Sequence, residues 1–107
     1  MKIFLDDERD PVENHDFDFI VRDYNEFITV CLSIDNVSYI SFDHDLGIGK
    51  NGYDAAKILV ETDISCDGKY LSEDFDFYVH SQNPIGKKNI ETFMNGYLNF
   101  KKSGEMK

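Results

Sequence analysis

Four short apolar runs divide the chain, and each of them ends in polar or acidic residues. Apolar runs of this length, closed by Asp, Asn, Pro or Gly, are typical of strands buried in a β-sheet. The first run begins near the N-terminus, the second begins with apolar–polar alternation, and the third leads directly into an acidic segment. The pattern predicts four strands, over residues 2–5, 17–21, 37–42 and 75–79.

Helical spacing of apolar residues predicts three helices between and after the strands. Asp23 is suited to cap the first helix, with Glu26 three residues later, and this helix is expected to run to about Ile34. The second is amphipathic over residues 53–60, and the third begins at Asn83-Pro84, since proline suits the first helical position. Loops are expected over residues 10–18, where a first helix is missing, and over 63–74; residues 101–107 are expected to form a frayed tail.

Strands separated by helical segments predict parallel pairing in a layered α/β domain. If the second strand lies on one side of the first and the third on the other, right-handed crossovers give the strand order 2-1-3-4. This order places the carboxyl ends of the first and third strands side by side at a topological switch point, where ligands bind in open α/β sheets. The length suits a single domain over residues 1–107.

The charge balance limits the classes of partner. The formal net charge is -10, which argues against bulk binding to DNA, RNA or anionic membranes, because phosphate neutralisation needs clustered Lys and Arg. A small phosphorylated ligand and a protein partner remain compatible with this charge. Cys31 and Cys66 have no metal-type spacing and are expected to be free thiols. Neither a signal peptide nor an apolar run of ~20 residues is found, so a cytoplasmic location is expected.

Acidic residues follow two of the predicted strands that meet at the switch point. Asp6 and Asp7 follow the first strand, and Asp43 and Asp45 follow the third. Carboxylates gathered at one edge repel each other, and Mg²⁺ or Mn²⁺ relieves that repulsion because these ions prefer carboxylate oxygens. Asp7 and Asp43 are the preferred ligands, with Asp6 and Asp45 next. The alternative is that these acids cap loops or pair with Arg9 or Arg22.

Two histidines are candidates for proton transfer. His80 follows the fourth strand and is the better placed of the two, whereas strand alternation turns His44 to the opposite face from Asp43 and Asp45. The catalytic candidates are therefore His80, His44 and Asp43. The alternative for His44 is a buried histidine that is hydrogen-bonded to the backbone.

Residues 81–89 are a candidate anion cradle. They combine a hydroxyl, an amide, free N–H groups at a helix start and two lysines, and helix N-termini bind phosphate through such donors. The alternative is ordinary capping by Asn83 with solvated lysines. The residues expected to bind substrate are Ser81, Asn83, Lys87 and Asn89, together with Arg9.

Two stretches of the sequence are fairly specific for one known family: Phe42-Asp43-His44-Asp45-Leu46-Gly47 and Val79-His80-Ser81-Gln82-Asn83-Pro84. Residues 5–11, 21–23 and 52–56 support the same resemblance, and all of these segments occur in the family's order. In these stretches the chain resembles the cyclic-phosphate processing receiver-like domains, a divergent family of the response-regulator receiver fold. The resemblance implies a three-layer flavodoxin-like domain with a parallel sheet of about four strands.

The resemblance also implies an acidic Mg²⁺ pocket. By position, Asp6 and Asp7 match the paired acids of receivers, and Asp43 or Asp45 matches the aspartate that accepts a phosphoryl group. Ser81 matches the hydroxyl position after the fourth strand. The sequence lacks a helix between the first two strands and a fifth strand that ends in the receiver lysine, for which Lys87 or Lys88 could at most substitute.

The working hypothesis is a metal-dependent enzyme that hydrolyses, or transfers a phosphoryl group from, a small phosphorylated or cyclic-phosphate nucleotide, with Mg²⁺ or Mn²⁺ as cofactor. The alternative is a non-catalytic receiver-like module that binds or sequesters a phosphorylated ligand or a protein partner. A third possibility is an interaction domain whose acids are only a solvated surface.

Overall fold

The computed structural model describes residues 1–11 and 16–104. The loop predicted over residues 10–18 lies partly outside these ranges, and His15 lies wholly outside them. In chain order the described residues form β1 (Lys2–Leu5), β2 (Phe19–Val21), α1 (Tyr24–Cys31), β3 (Val37–Phe42), α2 (Gly52–Ser65), β4 (Leu71–Val79) and α3 (Pro84–Lys102).

The four strands form one parallel sheet in the order β2-β1-β3-β4. Ile3 of β1 lies opposite Phe19 of β2 on one side and opposite Ile40 of β3 on the other. β3 pairs with β4 up to Phe42 and Val79, the last residues of the two strands. The predicted strand order and parallel pairing are confirmed.

The described helices pack together on one face of this sheet. α2 contacts both α1 and α3, and the alternate strand residues Ile3, Ile40 and Phe42 are fully buried in the core that these helices share. The β2–β3 and β3–β4 connections run in the same direction across the sheet, so right-handed crossovers place α1 and α2 on the same face. The β1–β2 connection runs in the opposite direction, and no helix forms in its described residues.

The described chain therefore has two layers, and the expectation of three layers is corrected. Phe4, Tyr39, Ser41 and Tyr78 lie on strand positions that face away from the helices. No described helix covers this second face of the sheet, and no fifth strand occurs in the described ranges. The class of the domain, a single α/β receiver-like unit, is as predicted.

The first two helices differ in length from the prediction. α1 begins as expected after Asp23, whose side chain accepts the N–H of Glu26 at 2.8 Å, but it ends at Cys31 rather than Ile34. α2 begins with a capping box between Asn51 and Asp54 and continues to Ser65 instead of ending near residue 60.

The polar loop predicted over residues 63–74 is shorter at both ends, because α2 extends into it and β4 begins within it. Asp63 explains this difference. This aspartate belongs to α2 and is fully buried. Its Oδ1 accepts the backbone N–H groups of Tyr70 at 3.0 Å and Leu71 at 2.9 Å. These bonds attach the start of β4 to the last turns of α2, and β4 consequently begins at Leu71 rather than at residue 75.

The frayed tail expected over residues 101–107 does not begin at residue 101. α3 continues to Lys102. The Nζ atom of Lys101 donates to Asp63 Oδ2 at 2.7 Å, and the hydroxyl of Tyr97 donates to the same oxygen at 2.5 Å. This interaction holds the end of α3 against α2. Residues 105–107 lie outside the described ranges.

Two further predictions concern the cysteines and the membrane. Cys31 is buried and Cys66 is exposed, and both are free thiols, as expected. Among the described helices, none is both long enough and apolar enough to span a lipid bilayer.

Candidate functional site

Asp6, Asp43 and His80 directly follow β1, β3 and β4, and the hydrogen bonding of the sheet continues through them. The N–H of Asp43 donates to the Leu5 carbonyl at 2.9 Å, and the N–H of His80 donates to the Phe42 carbonyl at 2.9 Å. Potential ligand atoms of the three side chains lie within 4.8 Å of one another, and we call these three residues the inner group. The sheet thus brings together two of the predicted carboxylates and the preferred histidine.

Asp6 is a buried carboxylate whose two oxygens each accept two hydrogen bonds. Oδ1 accepts the backbone N–H groups of Glu8 at 2.9 Å and Arg9 at 2.8 Å. Oδ2 accepts Arg9 Nε and His80 Nε2, both at 3.0 Å. Burial alone would raise the pKa of Asp6, but the backbone bonds from Arg9 and Glu8 and the bond from His80 hold that pKa below its usual value. Asp6 is therefore ionised at neutral pH.

Asp43 is also buried but has fewer partners. Its Oδ1 accepts the backbone N–H of His44 at 2.8 Å, and Arg9 Nη2 lies 3.9 Å from the same oxygen. Burial, followed by the negative charge of Asp6, raises the pKa of Asp43. A carboxyl group with a raised pKa exchanges its proton closer to neutral pH, which is a property of general acids and bases.

His80 connects Asp6 to a buried serine, Ser41. A carboxylate only accepts hydrogen bonds, so the pairing with Asp6 assigns the imidazole proton to Nε2. In the neutral ring, Nδ1 then accepts the hydroxyl of Ser41 at 2.7 Å. The His80 ring stacks on Phe4, with centroids 4.7 Å apart and planes inclined by 4°. These contacts fix both the orientation and the tautomer of the histidine.

An open cavity of about 460 Å³ lies against these side chains, and we call it the acidic notch. Asp7 is half-buried and Asp45 is exposed at the notch. Neither belongs to the group of side chains whose ligand atoms approach within 4.8 Å. The four predicted metal ligands thus divide into an inner and an outer pair. The residues that line the notch are Asp6, Asp7, Glu8, Arg9, Asp43, Asp45, Gly47 and Gln82.

His44 lies outside the inner group and packs against the start of α3. A Cβ atom added at Gly86 would lie 2.3 Å from His44 Cγ, so only glycine fits beside this ring. His44 Nδ1 lies 3.0 Å from Asp45 Oδ1, and Asn83 Nδ2 donates to the same oxygen at 3.3 Å. This geometry favours the structural alternative for His44, although its partner is a carboxylate rather than the backbone.

The donors of the predicted anion cradle serve mainly to begin α3. Ser81 Oγ accepts the N–H of Asn83 at 3.1 Å, and Asn83 Oδ1 accepts the N–H of Gly86 at 2.9 Å as the helix cap. Lys87 Nζ lies 5.5 Å from the centroid of the Tyr78 ring, and Lys87 does not line the notch. Asn89 is exposed on α3 and also does not line it. Substrate binding by these residues stays a prediction.

The inner group has the spacing and the oxygen donors that suit Mg²⁺ or Mn²⁺. Arg9 already supplies a positive charge there, through Nε to Asp6 and Nη2 near Asp43. Both oxygens of Asp6 and both ring nitrogens of His80 have partners. A divalent ion at this place would therefore displace the Arg9 guanidinium. Metal binding by the four aspartates stays a prediction.

Ser41 belongs to this site but was not among the residues predicted from the sequence. It lies within an apolar strand and is 5 % exposed. A buried hydroxyl needs a hydrogen-bond partner, so its presence in a buried strand was the available signal. The partner, His80, is 39 positions away in the chain and could not be identified from local pattern.

Comparison with known proteins and protein families identifies the family of this chain. No curated protein and no solved structure matches the chain. The family described as the cyclic-phosphate processing Receiver domain matches residues 1–96. This range contains every described strand, the acidic notch and most of α3, and it confirms the resemblance drawn from the motifs. The chain belongs to the family of cyclic-phosphate processing receiver domains.

Proposed function

We propose that the acidic notch processes a small phosphorylated or cyclic-phosphate nucleotide by hydrolysis or phosphoryl transfer. The observation that carries this proposal is Asp43, a buried carboxyl group with a raised pKa at the wall of an open cavity. Carboxyl groups with perturbed pKa values in clefts are concentrated at functional sites. The description of the family as cyclic-phosphate processing supports the same class of substrate.

Arg9 is the group that we expect to attract the phosphate. It is the one basic residue among the eight that line the notch, and its side chain is 47 % exposed. Its Nε atom is bonded to Asp6, which leaves the outer N–H groups of the guanidinium to meet a phosphate oxygen. Arg9 thus reduces the repulsion between the surrounding carboxylates and an anionic substrate.

Asp43 is the group that we expect to exchange a proton with the reacting phosphate or with water. Asp6 stays ionised and holds His80, whose second nitrogen is bonded to Ser41. We therefore assign Asp6 and His80 to positioning in this arrangement and proton transfer to Asp43. If a Mg²⁺ or Mn²⁺ ion were held by Asp43 and Asp7, with Asp6 and Asp45 beside them, Asp43 would be an ionised ligand instead of the proton-transfer group, and the ion would neutralise the charge of the phosphate.

The test is turnover of 2′,3′- and 3′,5′-cyclic nucleotides, with and without Mg²⁺ or Mn²⁺. We expect Asp43→Asn to reduce kcat by roughly 100-fold or more, the usual contribution of a general acid or base. Glu61→Gln makes the same carboxyl-to-amide change at an exposed position of α2 and should leave kcat unchanged. Full activity of Asp43→Asn, or absence of turnover by the folded wild-type protein across the panel, would contradict the proposal.

A non-catalytic binding module is the second candidate, and the bridging position of Arg9 favours it. An arginine that already neutralises Asp6 and approaches Asp43 makes an anion receptor without a metal. Calorimetry on the same nucleotides distinguishes the two functions. Saturable binding that Arg9→Gln abolishes, without any product, would assign the notch to sensing or sequestration.

A further inference from the structure

The face of the sheet that no described helix covers carries a second cavity, with a volume of about 220 Å³. Its walls are largely aromatic. Phe4 and Phe17 meet edge to face with centroids 5.3 Å apart, and the ring centroids of Phe17 and Tyr39 are 6.0 Å apart. We call this cavity the aromatic pocket; its lining includes Phe4, Phe17, Tyr39, Ser41, Tyr78 and His80.

The aromatic pocket lies next to the acidic notch, and two side chains stand at the boundary between the two cavities. Arg9 lines both cavities. His80 lines the aromatic pocket and binds Asp6, which lines the notch, through Nε2 at 3.0 Å. A single ligand could therefore place one part in each cavity.

We propose that the aromatic pocket binds the base of a nucleotide whose phosphate group lies at the acidic notch. This proposal rests on the proposed function and names the part of the substrate that gives affinity. The volume suits one planar ring system, since sites for complete drug-sized ligands usually occupy about 300–1,000 Å³. Aromatic side chains stack on the face of any base, so the pocket favours a base without selecting one strongly.

Polar groups in the same pocket can form hydrogen bonds with the edge of such a ring. Ser41 Oγ donates to His80 and keeps lone pairs that accept a hydrogen bond. Burial and the neighbouring Asp76 and Tyr78 raise the pKa of Tyr39, whose hydroxyl therefore remains a donor. A nucleobase carries both donors and acceptors on its edge, unlike a purely apolar ligand.

The charges near the aromatic pocket favour a phosphorylated ring over a second copy of the chain as the occupant of the pocket. Among the described charged residues, Arg9 and Asp10 lie in the lining of the aromatic pocket, and Lys87 Nζ lies 5.5 Å from the centroid of Tyr78. Asp10 is already paired with Arg22. A second copy would bring another net charge of -10 to a protein of the same charge. A ring that bears a phosphate complements both cations.

The test uses adenosine, which has the ring but no phosphate. We expect it to shift the aromatic NMR resonances of Phe4, Phe17, Tyr39 and Tyr78 in a saturable way. Tyr78→Ala should weaken adenosine binding by roughly tenfold, as loss of one stacking partner usually does. Tyr78→Phe should keep most of the affinity, because the ring is retained. Phe100→Ala removes a similarly exposed aromatic ring from α3, where Phe100 is 43 % exposed against 54 % for Tyr78, and should change nothing.

The outcomes separate this proposal from the proposed function. Adenosine binding at the pocket without turnover of any cyclic nucleotide would support the base site and contradict the enzyme. Equal kcat/KM for adenosine 2′,3′-cyclic phosphate and for glycerol 1,2-cyclic phosphate, with no shifts from adenosine, would support the enzyme and overturn the base site. A change in sedimentation of Tyr78→Ala, again with no shifts from adenosine, would assign this face to contact between proteins and also overturn it.

Discussion

Asp63 and Asp43 are buried aspartates at opposite ends of the sheet, and they differ in how completely the fold satisfies them. Asp63 is 0 % exposed and Asp43 is 5 % exposed. Asp63 accepts two backbone N–H groups on Oδ1, and Tyr97 and Lys101 donate to its Oδ2. Burial alone would raise the pKa of Asp63, but the Leu71 N–H, Lys101 and Tyr97 hold that pKa below its usual value.

Asp43, in contrast, has few hydrogen-bond donors, and its pKa is raised rather than lowered. One backbone N–H donates to it, the nearest cation lies at 3.9 Å, and burial together with Asp6 raises its pKa. Burial of a carboxyl group therefore does not by itself indicate function. The difference lies in the partners: Asp63 receives its donors from the fold, whereas Asp43 faces an open cavity from which a ligand can supply them.

The largest expected effect is a loss of stability when Asp63, the carboxylate that the fold satisfies, is replaced. Asp63→Ala should lower the free energy of unfolding by about 3–5 kcal/mol, because removing one member of a buried ion pair leaves its partners unsatisfied. Urea unfolding measures this change. Glu61→Ala, at an exposed position of the same helix, should stay within about 0.5 kcal/mol of the wild type. A loss below about 1 kcal/mol for Asp63→Ala would remove the contrast with Asp43.

The pH dependence of the free energy of unfolding should also show that ionised Asp63 stabilises the fold. Because the pKa of Asp63 is lower in the folded than in the unfolded protein, its stabilising contribution is complete above the ordinary carboxyl range and is lost as pH falls through the folded-state pKa. The difference in unfolding free energy between wild type and Asp63→Asn should therefore shrink between pH 7 and pH 3. Urea titrations at several pH values measure it, and a constant difference would show that ionised Asp63 is not the group responsible.

A smaller effect is expected from Arg9→Gln at the notch. Loss of this guanidinium should tighten Mn²⁺ binding on the order of tenfold, since a unit charge about 4 Å from a cation costs 1 kcal/mol or more even in bulk water. Calorimetry or electron paramagnetic resonance gives the dissociation constants. Lys88→Gln is a control that makes the same change of charge at an exposed position of α3 that does not line the notch. Equal Mn²⁺ binding in Arg9→Gln and wild type would count against an ion beside Asp6 and Asp43.

The smallest change in stability is expected from Asp43→Asn. Replacing a partly satisfied carboxylate beside Asp6 by a neutral amide should leave the free energy of unfolding within about 1 kcal/mol of the wild type or raise it, because repulsion is removed. Urea unfolding at pH 7 tests this. A loss as large as that of Asp63→Ala would place Asp43 among the structural carboxylates.

Much of the fold could be predicted from local pattern. The apolar runs located the four described strands, and the polar connection after β1 indicated a loop, in which the described residues form no helix. Residues 61–65 of α2 and residues 71–74 of β4 were missed for one reason. Asp63 and its neighbours are polar in sequence, and a polar residue becomes compatible with burial only when distant donors such as Lys101 reach it.

The candidate site was predicted to a similar extent. Acidic strand ends and the strand order were sufficient to bring Asp6 and Asp43 together with His80. The sequence correctly favoured His80 over His44 as a member of this group, but it preferred Asp7 to Asp6, whereas the structure brings Asp6 to Asp43 and His80. These distinctions depend on side-chain direction: Asp6 turns inward to four donors, and His44 packs against Gly86.

The sequence by itself determined which residues lie at the carboxyl edge of the sheet, because strand length, alternation and crossover handedness are local or nearly local properties. The tertiary structure alone decided which carboxylates are satisfied, which pKa values rise or fall, and that one face of the sheet carries an aromatic pocket. The physical reason is that hydrogen-bond partners such as Ser41 and His80, or Asp63 and Lys101, are separated by 39 and 38 positions in the chain and meet only after folding.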